Sequence, residues 1–203
     1  MKILLSAATE GEISRLRGIN PAHHTLDYLI TGIGMVATTY SLTRYFSHAK
    51  PDLAINCGIA GTFNNTIALG EVVRVQKDIF SELGAEDDAQ FLNLQQLGLS
   101  GQDTYQESSG ILTPGLRNVN GITVNTVHGN IQSIEKITKH LNPDVESMEG
   151  AAFFHVCQHE NIASLQIRAI SNYIEKRDRN AWNIPLALEN LFLSLNQLLN
   201  ELG

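Results

Sequence analysis

The sequence predicts an α/β fold, a single domain built on a sheet with helices on its faces. Along the amino half, short apolar runs alternate with helical patterns, as strands and covering helices would. The chain has 203 residues, 43% hydrophobic and 17% charged, enough for one substantial core, and no linker-like composition divides it. No repeat or low-complexity segment interrupts it. One domain is therefore expected over residues 1–203, with a less regular excursion at about 77–110.

Lys2 to Ala7 reads as a buried first strand, followed by a short polar helix from Glu10 to Arg17. Leu26 to Thr31 is a second strand, broken by Gly32 and Gly34. A helix is predicted from Met35 to His48, with Val36, Tyr40, Leu42, Tyr45 and Phe46 at approximate helical spacing. After Pro51 and Asp52, Leu53 to Asn56 forms a third strand ending at Gly58. Val72 to Val75 alternates apolar and charged residues, as a strand with one wet face does. From Lys77 to Gly110 the pattern turns polar and includes Glu86-Asp87-Asp88. That stretch reads as a solvated excursion, with a lid or binding loop as the alternative. Gly121 to Val127 is a predicted strand and Ile131 to His140 a helix. Val145 to Glu149 is strand-like, Gly150 to His159 helical, and Ile162 to Ile170 a strong apolar strand. The final helix, Ile184 to Leu202, lines up Leu188, Leu191, Phe192, Leu195, Leu198, Leu199 and Leu202 for a core or an interface.

A net charge of −7 argues against nucleic acid or an anionic membrane as the main partner. No apolar stretch approaches the ~20 residues of a membrane span. The opening apolar run meets Glu10 and Glu12 too soon for a signal peptide. Cys57 and Cys157 lack C-x-x-C or metal spacing and read as free, buried thiols of a reducing compartment, so a cytoplasmic location is expected. His23 and His24 have no companion ligands at metal spacing. No Gly-x-Ser-x-Gly elbow or Cys-His motif marks a covalent nucleophile. Neither metal nor cofactor is expected.

Gly32-Ile33-Gly34-Met35-Val36-Ala37 satisfies a G-x-G-x-x-A dinucleotide pattern. The acidic residue that should end the next strand is missing, because Asp52 precedes that strand. A tight glycine turn into a helix explains the same spacing, as does a ribose or an anion approaching the glycines. Glu12 lies just beyond the first strand, where a side chain can face a pocket at the sheet's carboxyl edge; its bland alternative is a dipole-favourable surface residue. Glu149 stands among flanks that look buried, and a buried carboxylate needs partners such as paired sugar hydroxyls. Ser171-Asn172 ends the strongest strand, where α/β sites collect, although Asn also favours an ordinary strand-end turn. His128 reads as a loop histidine or as a lining residue of the same pocket.

Taken together, these segments resemble the nucleoside phosphorylase and nucleosidase superfamily. The resemblance rests on Met1-Lys2-Ile3 through Glu12, Thr31 through Ala37, Lys50-Pro51-Asp52 through Gly61, Glu146-Ser147-Met148-Glu149-Gly150-Ala151-Ala152, and Arg168-Ala169-Ile170-Ser171-Asn172. It implies a mixed central sheet flanked by helices, a homo-oligomer (dimer or higher), and cleavage of the N-glycosidic bond of a small-molecule nucleoside. By position, Glu12 matches the carboxylate that activates the attacking water. Met148 and Glu149 match the pair that packs under the ribose and grips its hydroxyls. Gly34, Ala60, Gly61, Val127, His128 and Ser171 are the further substrate-binding positions expected.

Asn172 departs from the methylthioadenosine nucleosidases, which carry an aspartate there. An adenine presents a donor at position 6 that a carboxylate can accept. A 6-oxopurine presents an acceptor there, to which an amide can donate while its carbonyl faces N7–H. The segment Ser171 to Trp182, with Arg177-Asp178-Arg179, resembles the futalosine hydrolase branch, which releases hypoxanthine in an alternative menaquinone pathway. The alternatives are a methylthioadenosine/S-adenosylhomocysteine nucleosidase, a purine nucleoside phosphorylase, and an inactive purine-binding paralogue.

Overall fold

The computed structural model describes residues 1–88 and 90–202; residue 89 of the expected excursion and residue 203 of the expected domain lie outside them. Strand β1 (Lys2–Ala7) buries residues on both faces, because helices cover the sheet on each side. It runs parallel to β2 (Thr25–Ile30) and to β3 (Leu53–Thr62). β3 is parallel to β10 (Ala163–Tyr173), which lies antiparallel to β4 (Val72–Phe80). β4 is parallel to β8 (Arg117–Thr123), β8 to β9 (Val145–Ser147), and β9 returns antiparallel to β3. The sheet is therefore mixed, as the family resemblance implies. Its pairings close a ring through β3, β10, β4, β8 and β9, with β1 and β2 extending from it. The carboxyl ends of β1, β3 and β10 meet at one rim, and β9 crosses β3 there at Gly61.

Helices α2 (Met35–Phe46) and α4 (Gly150–His159) pack on one side through Leu42, Phe46, Phe153 and Phe154. Helix α5 (Ile184–Glu201) covers the other side, where Leu191, Leu195 and Leu199 meet Leu5, Ile55 and Ile167. The leucine stripe of α5 is thus mostly core. Helix α1 (Glu10–Ile13) is a single turn after β1, and a 3-10 turn over Arg15–Gly18 replaces the rest of the predicted polar helix. Helix α3 (Ile131–Leu141) buries no residue. Both cysteines are free and buried.

Four sequence expectations change. β3 does not end at Gly58 but runs to Thr62, because Gly58 and Gly61 make room for neighbouring side chains inside the sheet. β4 has no wet face at Arg74, whose side chain is 13% exposed and pairs with Glu107. The excursion is partly regular: β4 continues to Phe80, β5 (Gly84–Asp87) pairs with β6 (Gln90–Asn93), and β7 (Thr104–Gln106) joins β4. The predicted strand from Gly121 starts earlier, at Arg117, and stops at Thr123, which frees Val124 to Asn130 as a loop at the rim.

Candidate active site

A cavity of about 460 Å³ opens at that rim. Glu12 enters it from the first turn after β1, where it closes a capping box with Thr9. Its Oε2 accepts from Thr9 N at 3.0 Å and Thr9 Oγ1 at 2.8 Å, and its Oε1 accepts from Ile59 N at 3.1 Å. Three donors from two elements fix the carboxylate's orientation. Glu149, 6% exposed at the β9–α4 junction, accepts on Oε1 from Gly34 N at 3.0 Å. Gly34 has φ +88°, a left-handed conformation that glycine adopts without strain and that aims its N–H at the carboxylate. The anion that approaches the glycine turn is therefore the protein's own Glu149.

Arg168 of β10, 1% exposed, lies near both acids. Its Nη1 is 3.9 Å from Glu149 Oε2, its Nη2 donates to Asn56, and its Nε donates to Gln166 Oε1 at 3.0 Å. A side chain on Gly58 would collide with both Glu12 and Arg168. Behind Arg168, Gln166 Nε2 donates to Asp78 Oδ2 at 3.1 Å and Thr123 Oγ1 to Asp78 Oδ1 at 2.8 Å. Burial pushes the Asp78 carboxyl up to about 6, against the pull of those hydrogen bonds and the Arg168 charge.

Asn172, beside Gly61 in the β10–β3 ladder, faces the same cavity. Its Nδ2 donates to Tyr173 O at 3.1 Å and its Oδ1 accepts from Ser171 Oγ at 2.8 Å. Tyr173 O can only accept, which sets the amide's orientation. One N–H and one carbonyl lone pair stay available. On the other flank, His128 N donates to Glu146 Oε1 at 2.9 Å, and His128 Nδ1 lies 2.6 Å from Glu146 Oε2. Ile33, Met148, Ile174 and Leu188 supply apolar walls. Arg177 stacks on Trp182 at 5.0 Å at the edge of the cavity, and Asp178 caps the turn between them.

Residues 28–200 match the family model described as the phosphorylase superfamily. The chain belongs to that superfamily. It is 28% identical over 184 residues to a futalosine hydrolase from Thermus thermophilus, with 87% of this chain and 82% of the relative covered. It is 29% identical over 177 residues to a futalosine hydrolase from Acidothermus cellulolyticus, covering 82% and 72%. In fold it matches the 5′-methylthioadenosine/S-adenosylhomocysteine nucleosidase of S. pneumoniae, with a TM-score of 0.83, 22% identity and full coverage of both chains.

Of the positions that the superfamily resemblance singles out, Glu12, Glu149, Met148, Asn172, Ser171, Ala60, Gly61, Val127 and His128 all line this one cavity. Gly34 joins it through its bond to Glu149. Among the described residues, the polar excursion contributes none to the lining of this cavity. Sequence reasoning passed over Arg168 and Glu146 as site residues. A charged residue inside an apolar strand, as Arg168 is, was the available sign, since burial demands partners. Among the described residues no helix is long and apolar enough to cross a membrane, and no group of three or more His, Cys, Asp or Glu is gathered for a metal.

Proposed function

We propose that the protein hydrolyses the N-glycosidic bond of futalosine and releases hypoxanthine. The observation that carries the reading is an amide, Asn172, in one cavity with the two carboxylates Glu12 and Glu149. The named relatives from Thermus thermophilus and Acidothermus cellulolyticus support the same substrate. Glu12 takes a proton from water as it attacks the anomeric carbon. Glu149 accepts from the ribose hydroxyls as an oxocarbenium-like state develops. As the bond breaks, N7 takes a proton from solvent; Asn172 then donates to O6 and accepts from N7–H of the departing base, and Met148 packs under the sugar.

Water is favoured over phosphate as the nucleophile. Among the amino-half arginines, Arg15 pairs with Glu189 and Arg17 with Glu10, and neither these nor Arg44 lines the cavity. The charge of Glu12 would repel a phosphate. A product such as hypoxanthine and its sugar partner fits the menaquinone route that uses futalosine, in the cytoplasm. A homo-oligomer is favoured by the outer face of α2, where Val36 is 81% and Tyr40 65% exposed. The test offers futalosine, inosine and methylthioadenosine separately in phosphate-free buffer and follows free base by chromatography. Hypoxanthine from futalosine, without phosphate, is expected. Adenine from methylthioadenosine would overturn the base assignment, and purine binding without cleavage would favour the inactive paralogue.

A further inference from the structure

The pairing register places Asn172 and Glu146 on opposite sides of the same glycine. Gly61 is the partner of Asn172 in the β10–β3 ladder and of Glu146 in the β3–β9 ladder. Adjacent strands lie about 4.8 Å apart, so the β10 and β9 backbones flank Gly61 at a separation of roughly 10 Å. Gly61 has no side chain to divide that span. Asn172 Nδ2 comes within 3.0 Å of where its Cβ would sit, and the Ile174 side chain fills the space directly over it. The result is an apolar floor between two polar walls, a slot for a flat heterocycle.

Glu146 forms the second wall. It is 2% exposed, lines the cavity, and among the described residues takes hydrogen bonds only from the N and Nδ1 of His128. A carboxylate offers about four lone-pair sites, and two of these are filled. A buried charge left with acceptor capacity beside a cavity calls for a donor from the ligand. The 6-oxopurine assigned above has one that Asn172 does not serve. Its N1 carries a hydrogen, whereas N1 of adenine is a bare acceptor.

We propose that Glu146 reads the base by accepting from N1–H of a 6-oxopurine, with His128 as the positioning residue that holds the carboxylate in place. The proposal rests on the 6-oxopurine reading of Asn172. Together the two residues would test both halves of the base's polar edge, Asn172 at O6 and N7 and Glu146 at N1. An adenine fails at both places, since its N1 lone pair would face the carboxylate.

The experiment measures calorimetric binding of hypoxanthine, 1-methylhypoxanthine and adenine to the full chain, as wild type, Glu146→Gln and Glu146→Asp. A hydrogen bond to a charged acceptor corresponds to roughly 10- to 100-fold in affinity, so the wild type should prefer hypoxanthine over its N1-methyl derivative by that factor. Glu146→Gln should lose hypoxanthine affinity and gain adenine affinity, because the new amide can donate to adenine N1. A purely structural role for Glu146 would weaken both bases alike, and an unchanged hypoxanthine-to-adenine ratio would overturn the proposal. If the Gln variant does not fold, Glu146→Asp keeps a charge for His128 but withdraws it by one methylene. It should lower hypoxanthine binding more than adenine binding, and equal losses would also overturn the assignment. Wild-type preference for adenine over hypoxanthine would sink the 6-oxopurine reading itself. Preference for hypoxanthine with indifference to N1-methylation would sink only the role of Glu146.

Discussion

Gly58→Ala adds one methyl group at the point where Glu12 and Arg168 converge. Its Cβ would lie 2.6 Å from Glu12 Oε1 and 2.7 Å from Arg168 Nη1, where ordinary contact begins at 3.4 Å. Both groups must give way, Glu12 Oε1 by about 0.8 Å and Arg168 Nη1 by about 0.7 Å. Arg168 is 1% exposed and tied to Asn56 and Gln166, so Glu12 is the freer partner. Its hydrogen bond from Ile59 N, now 3.1 Å, would stretch beyond the ~3.2 Å at which such bonds are normally made. Gly58 does not have a left-handed φ, so alanine meets no backbone strain there and the effect is one of space. Overpacking of this kind costs about 1–3 kcal/mol, a drop of a few degrees in melting temperature for a chain of this size. Misplacing a catalytic group by nearly 1 Å costs on the order of 10²-fold in rate. The assay is futalosine hydrolysis at saturating substrate beside a thermal melt. A folded Gly58→Ala protein with wild-type kcat would refute the claim that this gap positions Glu12.

Glu12→Gln should keep the fold, since an amide oxygen can still accept from Ile59, and lose roughly 10²–10⁴-fold in turnover; near-normal turnover would remove Glu12 from the mechanism. Asn172→Asp should move base preference toward adenine nucleosides by about 10- to 100-fold, read as the ratio of adenine to hypoxanthine released, and an unchanged ratio would sink the donor argument. Asp78→Asn tests the buried carboxyl through pH. Because the folded-state value is raised from 3.8 to about 6, the folded chain holds a proton that the unfolded chain has lost between those values. The stabilisation is full below pH 3.8 and disappears as pH rises through 6, by about 3 kcal/mol in all. Denaturant titrations at pH 4 and pH 7 should show the stability gap shifting toward Asn by that order, and a gap independent of pH would refute the assignment.

The helix Gly150–His159 and the strand Lys2–Ala7 were legible to the residue because nearly every position in them is buried and apolar or small. The long strands were legible in part: β10 was read from Ile162 to Ile170 and runs to Tyr173, whereas β3 and β4 were cut short. β3, β4 and β10 carry Asn56, Asp78, Gln166 and Arg168 at 0–1% exposure, and a polar residue in a strand ordinarily marks a wet face. Here those residues satisfy one another across the ring, a pairing that no local window contains. The same cause divides the site. Glu149 was visible because its flanks look buried, whereas Glu12 and Asn172, each with an ordinary local account, were singled out by the superfamily resemblance. Arg168 and Glu146 were hidden because their meaning depends on partners from other elements. Gly58 was read as the end of a strand, although its actual contribution is a missing side chain.

The buried polar chain also supports the rim, and not the larger groove outside α2, as the candidate site. That outer groove, about 760 Å³, is lined by Met35, Val36, Tyr40, Phe80 and His155, and it gathers no carboxylate. At the rim, Glu12 and Glu149 line the cavity with the Arg168 guanidinium behind Glu149, and a third carboxyl, Asp78, backs the guanidinium through Gln166. Burying such groups is costly, and well-packed apolar side chains could fill the same volume at less expense to stability. What apolar packing could not do is hold Glu12 and Glu149 in fixed orientations through donors from Thr9, Ile59 and Gly34. On the proposed reaction, in which a positively charged sugar develops, acids held in fixed orientations would favour the transition state over the ground state.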